Sequence, residues 1–298
     1  MVTLTSKPAV MHAAIGIFGT LLFTSSLALA VPVQVSIQNL SPNNGIFLTP
    51  TWVGFHDGSF DLYDRGRAIG AAGLPSSLES LVEDGNTASL STDFANSSAG
   101  SNGGVDGTVI GPAGIPGPID PGERVTSQAF DIQAGRNGHF SYASMVIPSN
   151  DAFIANGNPF AHELFDESGN FVGVDFLVLG SQVLDGGTEV NTEMEAAFLN
   201  QLAANTGDVE GGVVQLHPGF INSIGNPGGT ALILGATTAG PGGNITIDRL
   251  AADFTQEGYH VARVTVSAVP EPSTVLMFGS GFVGLVAWRW RKTQQVLH

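Results

Sequence analysis

The stretch Val33-Gln34-Val35-Ser36-Ile37-Gln38-Asn39-Leu40 largely alternates apolar and polar side chains, and Ser41-Pro42-Asn43-Asn44-Gly45 follows it. Successive side chains of a strand point to opposite faces, so this alternation marks a strand with one face in a core and the other toward water. Pro, Asn and Gly then supply the backbone angles and side-chain caps of a turn. The same grammar recurs further on. A second strand is expected over 46–55, interrupted by Pro50, with His56-Asp57-Gly58-Ser59 closing it as a turn. More strands are expected over 127–132, 139–147, 213–216 and 259–266.

Helical spacing is confined to short pieces. Leu78, Leu81 and Val82 place one helix over 76–83, and Met194, Ala197, Phe198 and Leu199 place another over 193–203, with Asn191 or Thr192 as its cap. Between 95 and 122 Gly, Ser and Pro crowd together, which reads as a long flexible surface loop. Many short strands joined by Gly- and Pro-rich turns predict an all-β chain, an antiparallel β-sandwich with a few short helices and that long Gly-rich loop. The 298 residues include 40 Gly, 16 Pro and only 12% charged side chains. An ordinary soluble protein carries about 25% charged residues. This composition argues against a helix-rich cytosolic enzyme. There is no cysteine, so stability must come from the core or from bound metal rather than from disulfides.

The two ends read as targeting segments. Lys7 precedes an apolar run over 13–30 that ends in Ala28-Leu29-Ala30, the small-x-small pattern accepted by signal peptidase, so 1–30 is expected to be a signal peptide. At the other end, 273–288 is free of charge and is followed by Arg289, Arg291 and Lys292. As a helix this run would span roughly 24 Å, a little less than a bilayer core. Trp288 and Trp290 suit the interface and the basic cluster suits the cytoplasmic side. Just before it stands Pro270-Glu271-Pro272. This order resembles the PEP-CTERM sorting signal of Gram-negative bacteria over 269–298. The resemblance implies transient residence in the inner membrane through 273–288, cleavage near Pro270, Glu271 and Pro272 by an exosortase-type enzyme, and a final place at the cell surface or outside the cell. It also implies a polysaccharide-producing source.

Removal of both ends, with the C-terminal cut after Glu271, leaves six basic residues against all 26 acidic ones, a charge of about −20. Nucleic acid is excluded as a partner on this ground, because phosphate contacts need a basic surface. Divalent cations are favoured. Asp185-Gly186-Gly187-Thr188-Glu189 sets two carboxylates four apart across a Gly-Gly turn, and Asp151 follows Pro148-Ser149-Asn150 at the end of an apolar strand. Carboxylates on tight loops suit calcium, which takes six to eight oxygens at about 2.3–2.6 Å.

Several blocks together resemble the spondin domain, the extracellular module first described in F-spondin. They are 33–40, Thr51-Trp52-Val53-Gly54-Phe55-His56-Asp57-Gly58, residues 143–153, Leu184-Asp185-Gly186-Gly187-Thr188-Glu189, and the closing strand Val261-Ala262-Arg263-Val264-Thr265-Val266. The resemblance runs over roughly 33–268 and makes 31–268 one domain. It implies a Ca2+ site whose ligands fall on Asp151, Asp185 and Glu189, with two departures. The last position carries Glu rather than Asp, and the spacing between the two loops is longer. It implies a non-enzymatic role in adhesion or matrix interaction, with polysaccharide or a matrix protein as partner.

Other residues carry weaker signals. His56-Asp57-Gly58-Ser59 could be a catalytic or metal cluster, but turn chemistry accounts for it more simply. His162-Glu163 and Asp166-Glu167 are ligand types for a transition metal without HxxxH or HExxH spacing. His217-Pro218-Gly219-Phe220 reads as a strand end. Asn150 and Asn191 could add side-chain oxygens to the calcium site. No G-x-S-x-G elbow is present. Two further readings stand beside the adhesive one: a secreted hydrolase acting on exopolysaccharide through a distant carboxylate pair, and a module bridging calcium to anionic lipid.

Overall fold

The computed structural model describes residues 30–112, 117–192, 206–220, 237–240 and 243–270. The expected helices over 193–203 and 273–288, and the signal peptide apart from Ala30, lie outside them. Among the described residues no helix is long and apolar enough to cross a membrane.

The described chain runs through β1 (Val31–Asn39), β2 (Phe47–Leu48) and β3 (Thr51–His56), then α1 (Leu78–Asp84), α2 (Thr87–Asn96) and α3 (Ser98–Ser101). After these come β4 (Val105–Val109), β5 (Arg124–Thr126), β6 (Phe130–Ile132), β7 (His139–Ile147), β8 (Ala152–Ala155) and β9 (Val174–Leu179). The remaining strands are β10 (Leu184–Asp185), β11 (Gln215–Leu216), β12 (Thr237–Gly240), β13 (Gly243–Thr246) and β14 (His260–Ala268). One sheet has the order β5-β1-β14-β9 with β6 also on β1, and the other has β11-β10-β8-β7-β3-β4 with β2 on β7. All the pairings are antiparallel.

The alternation in β1 sets this layering. Val33, Val35 and Ile37 are buried and face the second sheet, while the residues between them are half exposed. They pack into one core with Val264 and Val266 of β14 and with Val53, Phe55, Phe140 and Ile154 of the opposite sheet. The second sheet is buried on both faces, as the unbroken burial of β3 shows. Its outer face carries Trp52, Ala143 and Phe153, which pack under Leu78, Leu81 and Val82 of α1 and Leu90 and Phe94 of α2. Each such side chain contributes roughly 1.5–3 kcal/mol when fully buried. The sandwich therefore has a helical layer over one sheet.

β1 and β14 lie side by side in register, Val35 opposite Val266 and Ile37 opposite Val264. The two ends of the folded unit thus leave it together. Val269 still donates its N–H to Pro32 O, and Pro270 after it is exposed.

One expectation is corrected. Residues 95–109 do not form a flexible loop: α2 runs to Asn96, α3 follows, and β4 pairs with β3. The glycines here serve close packing. A Cβ on Gly104 would come within 2.7 Å of the Phe94 ring, and one on Gly107 within 2.8 Å of Phe130. α2 itself starts conventionally, with Asn86 accepting from Ala88 N and with Leu90 and Phe94 one turn apart on the buried face. The expected strand over 46–55 is split at Thr49-Pro50 into β2 and β3, because proline has no N–H for a ladder.

Candidate metal centre

Asp151 lies in the short connection between β7 and β8. Ser149 tightens that connection, its hydroxyl donating to Val146 O and accepting from Ala152 N at 3.0 Å. β10 then pairs with β8, Asp185 opposite Ala152, and Gly186 N donates to Asp151 O at 3.2 Å. Two segments 34 positions apart in sequence are joined by this ladder. Gly186 keeps this approach close, since a Cβ would meet Asp151 Oδ2 and the Val82 side chain at 3.1 Å and push each back by a few tenths of an ångström. Gly187 takes φ +67°, which folds the turn back toward 207–213.

The turn wraps the Asp151 carboxylate. Oδ2 accepts from Thr188 N at 2.8 Å, Thr188 Oγ1 at 3.1 Å and Glu189 N at 3.1 Å, whereas the buried Oδ1 has no hydrogen-bond partner. Asp185 Oδ1 accepts from Gly187 N at 2.9 Å, and its Oδ2 accepts from Asn191 Nδ2 at 2.9 Å. Glu189 Oε1 accepts from Gly207 N at 3.0 Å. A Cβ on Gly207 would stand 2.1 Å from the Glu189 carboxyl carbon, so a larger residue there would push the Glu189 carboxylate out of this position.

Asp151, Asp185 and Glu189 are 0%, 2% and 3% exposed, and Glu83 from α1 joins them at 5%. Neither described ion pair, Arg67–Asp64 or Arg263–Asp175, reaches this group. Burial, opposed by the hydrogen bonds of the turn and reinforced by the charge of Asp185, pushes Asp151 up to about 6. Burial likewise lifts Glu189 to about 7, with Asp151 and Asp84 adding repulsion. Glu83 also rises to about 7, first through burial and then through Glu189, Glu79 and Asp84. As the side chains stand, no set of three His, Cys, Asp or Glu groups among the described residues converges closely enough to hold a metal ion. The turn instead directs both oxygens of Asp185 and one oxygen each of Asp151 and Glu189 to N–H groups of the protein, and leaves Asp151 Oδ1 open.

Sequence reasoning missed Glu83 and the support behind Asp185. Glu83 closes a helix remote in sequence, and only the packing of α1 on the sheet brings it here. Behind Asp185, Asn191 Oδ1 meets His217 Nε2 at 3.2 Å, and Gly219 N donates to His217 Nδ1 at 3.1 Å. Nδ1 therefore lacks a proton and Nε2–H donates to Asn191. Burial holds His217 down at about 4, so it stays neutral. Asn150 and Asn191, the two side-chain oxygens the sequence offers to the site, act on its carboxylates instead. Asn191 positions Asp185, and Asn150 hydrogen-bonds the Glu189 carboxylate.

The other sequence candidates are placed apart from this turn. Gly58 N donates to His56 Nδ1 at 3.0 Å, so Nε2–H donates to Ser141 Oγ at 2.9 Å. Asn156 Nδ2 donates to the same hydroxyl at 3.0 Å. A His that donates to a serine cannot take its proton, so this pair is not a nucleophile with its base. Asp57 Oδ1 caps Ser59 N at 3.0 Å and Gly58 has φ +93°, as turn chemistry requires. His162 stacks on Phe176, away from Glu163, Asp166 and Glu167, which line a separate cleft of about 330 Å³ with His139.

The profile of the PEP-CTERM protein-sorting motif matches residues 268–292. A search of curated proteins returned no match to the chain. The match begins at the last residue of β14, where the folded unit ends and Pro270 is exposed. The chain thus carries the sorting motif of exosortase-targeted proteins exported to the cell surface of Gram-negative bacteria.

Proposed function

We propose that the exported unit, residues 31–268, is a spondin-like adhesive domain that binds calcium at Asp151, Asp185 and Glu189 and attaches to extracellular polysaccharide or matrix protein. The observation that carries the calcium reading is Asp151: a fully buried carboxylate with one oxygen unpartnered, set among buried carboxylates that neither described ion pair includes. Buried charges are ordinarily paired or coordinate metal. Calcium accepts carboxylate and backbone oxygens in flexible geometry, which suits Asp151 Oδ1, Asp185 and the longer arm of Glu189 after a small adjustment of the turn. The ion would supply positive charge that lowers the repulsion among these groups and fixes 185–190 against 207–213. Export fits this reading, since extracellular fluid supplies the ion.

Titration calorimetry with calcium, together with thermal melts in calcium and in chelator, tests the proposal. One ion binding the folded state stabilises it by about 2.7 kcal/mol at a hundredfold excess over its dissociation constant. Binding and stabilisation are both expected to vanish in Asp185→Ala. A chain that neither binds calcium nor melts higher in its presence would remove the calcium site from the proposal.

A further inference from the structure

A cleft of about 540 Å³, within the roughly 300–1,000 Å³ range of ligand sites, opens between the edges of the two sheets. β9 and the turn after it form one side, and β8, β10 and β11 form the other. Its wall is aromatic. His162 lies flat on Phe176 at 3.9 Å and 10°, and Tyr142 stands 5.5 Å from Phe176 and 6.0 Å from His162. Burial holds His162 at about 4, so its ring is neutral at physiological pH.

The rim carries hydrogen-bonding groups with capacity to spare. Gln182 Oε1 is taken by Leu179 N at 2.8 Å and Asn158 Oδ1 by Phe160 N at 3.0 Å, which leaves both amide NH2 groups turned to other uses. Arg65 is exposed at the mouth, outside both described ion pairs. Tyr142 is 5% exposed, yet its hydroxyl bonds no other described residue. A buried tyrosine ordinarily finds a partner for that group.

An apolar aromatic wall with donors set around it matches an amphipathic ring that is apolar on its C–H faces and hydroxylated at its edge. From this we propose that the cleft is a binding site for a neutral pyranose unit of a glycan, held against Tyr142, His162 and Phe176 and hydrogen-bonded by Asn158, Gln182 and Arg65. A charge of about −20 on the exported unit repels a polyanionic chain at long range, so neutral sugars are selected over uronic acids. The inference rests on the adhesive reading and makes it specific in place and ligand.

The test uses the full chain in a detergent without a sugar headgroup. Calorimetry with gluco-, manno- and galacto-configured tetrasaccharides is compared with tetragalacturonate. At least one neutral tetrasaccharide is expected to bind. The double variant Arg65→Ala/Gln182→Ala, altered only at exposed positions, is expected to weaken it at least tenfold, with a melting temperature lowered by only a few degrees through loss of the Leu179 N acceptor and an unchanged response to calcium. Failure of every neutral tetrasaccharide to bind, a preference for tetragalacturonate, or unaltered affinity in the double variant would each overturn the cleft as the site. Adhesion of the double variant to polysaccharide at full strength would do so while leaving the adhesive reading intact. Sugar binding without any calcium response would instead sink the calcium site alone.

Discussion

Replacing Asp151 by Ala and by Asn separates what its charge does from what its shape does. Ala removes the acceptor of two backbone N–H groups, those of Thr188 and Glu189, in a site with no exposure at Asp151. Each buried donor left without a partner costs about 1–3 kcal/mol. Loss of a buried carboxylate offsets part of this, so a net loss of about 2–4 kcal/mol is expected in chelator. At about 2–4 °C per kcal/mol for a unit of this size, the melting temperature should fall by roughly 5–15 °C. Asn keeps one oxygen for the same N–H groups and places its amide where Oδ1 now lacks a partner. Its stability in chelator should stay within about 1 kcal/mol of the parent. Calcium then discriminates in the opposite sense: it should raise the melting temperature of the parent and leave Asp151→Asn unmoved. Calorimetric melts of the mature protein with and without calcium read all of these values. Equal destabilisation of the two variants in chelator would refute the hydrogen-bond argument, and a full calcium response in Asp151→Asn would refute the role of the open oxygen.

Three further outcomes are expected. Because burial raises Asp151 to about 6 and Glu83 and Glu189 to about 7, the folded chain binds more protons than the unfolded one between about pH 4 and 7. Stability in chelator should therefore fall as pH rises through that window, and saturating calcium should flatten or reverse the slope; melts from pH 4.5 to 8 check the sign. Gly104→Ala should destabilise the fold by about 1–3 kcal/mol, by the ordinary cost of overpacking, because the new Cβ meets the Phe94 ring and the Ala99 carbonyl; urea unfolding that leaves the midpoint unchanged would restore the flexible-loop reading of 95–109. Truncation after Val269 should separate the folded unit from its sorting motif and leave it unprocessed by exosortase, whereas the intact chain should yield a product cut near Pro270; mass spectrometry of the exported protein reads the new terminus.

The strands most legible in the sequence were those with one wet face or unbroken β-forming runs. β1, β7 and β14 fall within a residue or two of the expected ranges. Helix α2 was missed because Ser, Thr and Asn dominate its exposed face and leave only Leu90 and Phe94 as an apolar signal. β8 and β10 were missed for a different reason. They are four and two residues long, too short for any period to show, and they exist because each is paired.

Charge balance, the C-terminal sorting motif, the sandwich class and the two carboxylate-bearing loops at Asp151 and 185–189, each taken by itself, follow from the order of residues alone. Patterns of period two, an apolar run beside a basic cluster and glycine between carboxylates are local, and local chemistry is written in neighbouring residues. The tertiary structure decided the rest. It placed Glu83 beside Glu189, turned His217 and Asn191 into the support of Asp185, left Asp151 Oδ1 without a partner, and drew Tyr142, His162 and Phe176 into one wall. Each of these depends on which strands lie side by side and on which face of a sheet a helix covers. Such contacts join residues far apart along the chain, so packing sets them and no local pattern records them.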